Sequence, residues 1–225
     1  MGALLARYPS LSYVLPFAVF MTMLAVSGSL PGPPRAQALI RVGVVTAVIL
    51  AIARGTFSLR LTRPVATIGV GILVFVVWIL PDQIAPGYRS GPLFENSLLG
   101  KFESTVPPEA RADPVFLALR MFRAVLLVPI VEELFWRGWL PRWIDRMEDF
   151  RERPLGSYTA FSFGATAVLF AVEHGSLWDV GLVAGVIYNW WMIKTKSLGD
   201  LIACHGVTNG CLSGWVLTTG QWRYW

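Results

Sequence analysis

The run VATIGVGILVFVVWIL, Val65 to Leu80, contains no charged residue. As a helix rising about 1.5 Å per residue it covers most of the ~30 Å hydrocarbon core of a bilayer. Every backbone polar group is then satisfied within the segment, which lipid requires. Working outward, comparable apolar runs extend from Leu11 to about Ser29, Ala38 to Ala53 and Pro114 to Trp143. Three more run from within Ser157–Gly164 to His174, from Trp178 to Ile193, and from Leu198 to about Leu217. Between the first two, Pro31-Gly32-Pro33-Pro34 makes a tight turn, because proline cannot continue a helix. The first run is too long for the apolar core of a signal peptide, so it is read as a span.

The whole chain agrees with its parts. Of 225 residues, 55% are hydrophobic and 15% are charged, where a soluble domain carries about 45–50% and roughly 25%. The mean hydropathy is +0.57. A soluble enzyme, a disordered tail and a disulfide-stapled secreted module are excluded. The expected architecture is all-α, a polytopic transmembrane helical bundle with about seven spans, in a range of roughly six to eight. It is read as one integral membrane domain over residues 1–225, with a chemistry-bearing core at about 114–217. The Pro- and Gly-rich stretch from Pro81 to Asp113 is expected to include a short interfacial helix. Gly69 and Gly71 are read as close-packing positions.

The net charge of +5 comes from basic clusters between the apolar runs. Orientation in the membrane explains such clusters, and no nucleic acid is expected as a partner. With the N-terminus inside, Arg7, Arg54, Arg60, Arg63, Arg142, Arg146, Arg151, Arg153, Lys194 and Lys196 face the cytoplasm. Arg35, Arg89, Lys101, Arg111 and Arg223 lie outside. Trp139 and Trp143 then belong to the inner aromatic belt, with Trp78, Trp222 and Trp225 in the outer one. Arg120 and Arg123 are expected to snorkel or to pair across helices. Cys204 and Cys211 lie two turns apart on one helix, too far for a disulfide, and are read as core packing.

Ionisable side chains in mid-helix are costly, about 2.5–3.5 kcal/mol each on insertion scales, so they mark function or pairing. The fourth run contains Glu132-Glu133-Leu134-Phe135-Trp136-Arg137. At about 100° per residue Glu133 and Arg137 share a stripe and can pair. Glu132 points away from both, without a partner on its own helix. The chain's two histidines, His174 and His205, fall in other apolar runs. Asn209 lies one turn beyond His205. Glu173, beside His174, either tunes that imidazole or faces a cavity mouth. These residues include a general base, an imidazole to orient water, and donors for an oxyanion.

Glu132-Glu133-x3-Arg137, Phe170-x3-His174 and His205-x3-Asn209, in that order, resemble the three motifs of the CPBP family. It comprises the type II CAAX prenyl endopeptidases and bacteriocin-processing proteins. The resemblance covers about Leu119 to Leu217. Trp136-Arg137-Gly138-Trp139, Glu173-His174-Gly175, Val207-Thr208-Asn209 and Thr219-Gly220-Gln221-Trp222 resemble the CAAX-protease-related branch found with bacterial exosortase systems. The resemblance implies an intramembrane glutamate-type endopeptidase with no cofactor and no bound metal. Carried over by position, Glu132 is the base that activates water, His174 assists, His205 and Asn209 form the oxyanion hole, and Glu133 with Arg137 braces the helix. It further implies a peptide or lipidated protein substrate, the bacterial inner membrane, and a link to exosortase-type sorting machinery. Three other readings compete: a His2Glu zinc protease, a transporter or proton relay, and a non-catalytic membrane protein of the same family.

Depth is the difficulty. Glu132 lies about 13 Å from a helix end at Pro141, whereas His174 lies about 25 Å from Ser157. The site closes only if the fifth helix starts late and stops inside the membrane near Gly175, facing protein or a cytoplasm-facing cavity.

Overall fold

The computed structural model describes residues 2–225, the side chains of Ala3 and Ser27 excepted. After a short helix, Gly2–Arg7, come α1 (Leu11–Ala25), α2 (Pro34–Ala53), α3 (Pro64–Ile84) and α4 (Pro114–Asp145). They are followed by α5 (Ala160–Glu173), α6 (Trp178–Thr195) and α7 (Leu198–Thr219). No strand occurs among the described residues, so the architecture is an all-α bundle. Helices α2, α3 and α4 are long and apolar enough to cross a membrane, while α1 and α5 are apolar but shorter.

Helix α7 runs through the bundle against α3, α4 and α6. Its contact with α3 is made possible by Gly71, where a Cβ would come within 2.5 Å of the Cys204 carbonyl. Gly69 faces open space, so only one of the two glycines is a packing position. The Thr208 hydroxyl crosses the seam to the Gly71 carbonyl at 2.9 Å. At the near end, buried Asp200 accepts from the Thr62 and Arg63 amides at 2.8 and 3.0 Å and from the Thr67 hydroxyl at 2.7 Å. This carboxylate ties down the chain that enters α3 and lies at its N-terminal end, where negative charge complements the helix dipole. Cys204 and Cys211 are both free.

The chain between α3 and α4 forms no interfacial helix, only turns and a short 3-10 turn at Pro108–Ala110. Left-handed Gly87 and Gly100 and the prolines break it up. Arg89 is 3% exposed. It donates to Asp82 at 3.0 Å, to Asp179, and to the Ser176 carbonyl at 3.0 Å. That ties the segment over the turn between α5 and α6.

Helix α4 is not uniformly α. Residues Arg123–Leu127 and Leu134–Trp139 are π-helical, and each stretch lies just ahead of a proline, Pro129 and Pro141. A helix-interior proline removes an N–H and clashes with the carbonyl one turn earlier, and a wider turn relieves both. The Val128 amide reaches back to the Arg123 carbonyl. In the same register the Ala124 carbonyl faces Pro129, which has no N–H to give.

Candidate active site

The two glutamates of α4 sit in the short α-helical stretch Val128–Glu133 between these π segments. Glu133 is fully buried and accepts from Arg137 Nη1 at 3.3 Å, as the i,i+4 spacing required. It also accepts from His205 Nδ1 at 2.8 Å. Arg137 is itself fully buried. Its Nε donates to Asn189 Oδ1 at 3.1 Å, and its guanidinium lies over the Phe170 ring at 4.3 Å and the Tyr188 ring at 5.3 Å. Burying a charge is tolerable only when it is paired and hydrogen-bonded, and this arginine has both.

Glu132 is the contrast. It is 6% exposed and takes part in no side-chain hydrogen bond or ion pair among the described residues, while Oε2 of both glutamates is buried without a partner. The charged groups acting on it are Glu173, Glu133 and Arg137. Glu173, at the end of α5, accepts from the Trp136 indole at 2.8 Å, which anchors it to the preceding helix, α4.

His174 caps α5, and its Nδ1 lies 2.6 Å from the Phe170 carbonyl. A carbonyl only accepts, so Nδ1 carries the proton and a neutral ring presents Nε2 as a lone pair. The ring is held between Phe170 at 4.5 Å and Trp78 at 5.1 Å. Trp78 is thus buried at the site rather than in an outer aromatic belt. His205 lies against the Tyr188 ring at 5.2 Å. Phe170 and Tyr188 therefore join both histidines to Arg137. Gly181 and Gly185 let α5 approach α6, since a Cβ at either would meet Ala171 or Ala167 backbone at 3.3 Å. This small-x3-small spacing is a common device for close helix pairs in lipid.

Asn209 points its amide at the Ala124 carbonyl, 2.8 Å away. It replaces the donor that Pro129 lacks and leaves one amide N–H uncommitted. The close approach is permitted by Gly206, whose Cβ would sit 2.8 Å from the Val125 carbonyl.

The depth difficulty disappears in the fold. Helix α4 runs on past Pro141 to Asp145, which accepts from the Thr159 hydroxyl, the N-cap of α5, at 2.7 Å. Counted from that shared end, Glu132 and His174 each lie roughly 20 Å along their helices. Helix α5 then stops at Glu173 and turns on left-handed Gly175. The exposed helix end faces protein: the Ser176 carbonyl is taken by Arg89, and a Cβ on Gly175 would meet the Leu99 carbonyl at 2.7 Å.

Sequence reasoning missed Asn189, Tyr188 and Trp78. Asn189 carried a signal, a lone amide in an apolar run, but attention to ionisable groups alone passed over it. Among the described residues no three His, Cys, Asp or Glu side chains converge to hold a metal ion.

Comparison with protein-family models matches residues 114–211 to the type II CAAX prenyl endopeptidase Rce1-like family. That stretch begins at the first turn of α4 and ends within α7, so it contains Glu132, Glu133, Arg137, His174, His205 and Asn209. No curated protein and no solved structure matches the chain.

Proposed function

Residues 114–211 belong to the type II CAAX prenyl endopeptidase Rce1-like family, and from that premise we propose that this integral membrane chain is an intramembrane glutamic endopeptidase. The observation that carries the proposal is the inequality of the two adjacent acids. Glu133 is held through Oε1 by both Arg137 and His205, whereas Glu132 takes part in no side-chain hydrogen bond or ion pair among the described residues; Oε2 of each is buried without a partner. An unengaged carboxylate away from bulk water suits a base that must take a proton from a bound water.

In this reading Glu132 removes a proton from water while His174 Nε2 accepts the other O–H and orients the nucleophile. The hydroxide oxygen bonds to the scissile carbonyl carbon, and the carbonyl π pair moves onto oxygen. That oxyanion receives hydrogen bonds from His205 Nε2–H and from the free N–H of Asn209. Because His205 Nδ1 already donates to Glu133, Nε2 donates to the oxyanion only from a ring that carries a proton on both nitrogens. Collapse breaks the C–N bond, and Glu132 returns its proton to the leaving amine.

The substrate is a peptide bond in a membrane-tethered or membrane-proximal chain, with a lipidated CAAX-like sequence as one form. An apolar groove of about 590 Å³, lined by residues that include Val125, Ile202, Gly206 and Gly210, supports entry from the lipid side. The cytoplasmic excess of Lys and Arg supports an N-terminus inside. Trp136 to Trp139 and Thr219 to Trp222 support the bacterial inner membrane beside exosortase-type machinery. The test is cleavage of a fluorogenic lipopeptide panel by purified protein in liposomes, with and without a strong zinc chelator. Cleavage unaffected by chelator is expected. Activity lost with chelator and restored by zinc would replace this reading with a metalloprotease.

A further inference from the structure

Arg41, Arg120 and Arg123 have no carboxylate within salt-bridge distance among the described residues and are not part of the site above. Arg41 on α2 and Arg120 and Arg123 on α4 line one cavity of about 400 Å³. They are half-buried, and Nε of both Arg41 and Arg120 is buried without a hydrogen-bond partner. Among the described residues the only side-chain hydrogen bond any of them makes is to a neutral partner, from Arg120 Nη2 to the Thr105 hydroxyl at 2.8 Å. The nearby acid, Asp113, is already committed to Arg35 at 2.8 Å. Of the two expected alternatives for Arg120 and Arg123, snorkelling or pairing across helices, no carboxylate pairing is seen among the described residues; Arg120 lies over the Trp225 ring at 5.4 Å, and Arg41 shares the cavity with both.

Three guanidiniums converging on an enclosed space repel one another unless an anion lies between them. Their planar forks match phosphate oxygens bidentately. Arg41 and Arg120 each lie about 10 Å along their helices from Pro34 and Pro114, close to where a lipid phosphate meets the hydrocarbon. Leu24, Pro34, Pro107 and Phe116 form an apolar part of the wall, and Gln37 and Thr105 add polar groups beside the arginines. We propose that Arg41, Arg120 and Arg123 form a binding site for a phosphate group carrying two or more negative charges. A single carboxylate would leave the cluster with excess positive charge.

The test is native mass spectrometry with a parallel melting curve on the purified full-length protein. The probes are short-chain phosphatidic acid, short-chain phosphatidylcholine, inorganic phosphate and pyrophosphate, against wild type, Arg120→Gln/Arg123→Gln and Arg41→Gln. Phosphatidic acid is expected to bind wild type at least tenfold more tightly than phosphatidylcholine and to bind the double variant at least tenfold more weakly. Binding of phosphatidic acid alone assigns the site to a lipid headgroup. Binding of pyrophosphate or phosphate with equal dependence on the arginines assigns it to a soluble anion. Equal binding of the two lipids by wild type, with no binding of either soluble anion, overturns the proposal even if the variants fail to fold. So does binding unchanged in folded variants.

Discussion

At the scale of single residues, the chemistry of the site rests on which groups are satisfied. Angular spacing on one helix separated Glu133, the partner of Arg137, from Glu132, and the structure keeps that separation. What spacing could not give was the third partner of Glu133, because His205 arrives from a helix 72 residues away in sequence. The same limit hid Asn189, which meets Arg137 across 52 residues. The buried trio makes a specific demand on stability. Glu133→Gln and Arg137→Met each leave an uncompensated buried charge, and each is expected to cost about 3–5 kcal/mol. The double variant removes both charges, and its melting temperature is expected to exceed that of either single variant.

At the scale of elements, starts and stops were legible where prolines and caps mark them. Pro34, Pro64 and Pro114 open α2, α3 and α4, and left-handed Gly220 closes α7. The π segments of α4 were not legible, since Pro129 and Pro141 permit a kink, a break or a wide turn, and packing chooses among them. The choice gives Asn209 a second duty, as donor to the carbonyl that Pro129 strands. Asn209→Ala is expected to destabilise wild type by about 1–2 kcal/mol by leaving a buried acceptor unmet. In a Pro129→Ala background, where the backbone N–H returns, the same change is expected to cost almost nothing. A double-mutant cycle of melting free energies reads this as a coupling of about 1 kcal/mol. Independent, additive costs would mean that the amide and the proline are unrelated.

At the scale of the whole molecule, the first three helices carry no motif, yet two of them support the site. Helix α1 stacks Phe17 on Phe135 at 4.3 Å and receives the Trp139 indole on Ser10 at 3.0 Å, bracing the second π segment. Helix α3 contributes Trp78. Helix α2 is fastened to the start of α4 by Arg35 and Asp113, where Asp113 also caps α4 by accepting from Val115 and Phe116. The hydrogen bond from Arg35 holds the Asp113 carboxyl below its ordinary range. A depressed folded value means stability that is present above the unfolded pKa of about 4 and lost as pH falls through the folded one. The melting-temperature gap between wild type and Asp113→Asn, which keeps the cap, is expected to be full at neutral pH and to close in strong acid. A gap that persists there would assign it to something other than charge.

The central claim is that Glu132, and not its neighbour, removes the proton from water. The measurement that tests it most directly is the single-turnover cleavage rate of Glu132→Gln in liposomes, taken beside its melting temperature and those of wild type. The account predicts a rate at least a thousandfold lower, on the order expected for a lost general base, in a protein that melts no lower than wild type, since no partner of Glu132 is left unpaired. A folded Glu132→Gln protein that cleaves within tenfold of wild type would contradict it.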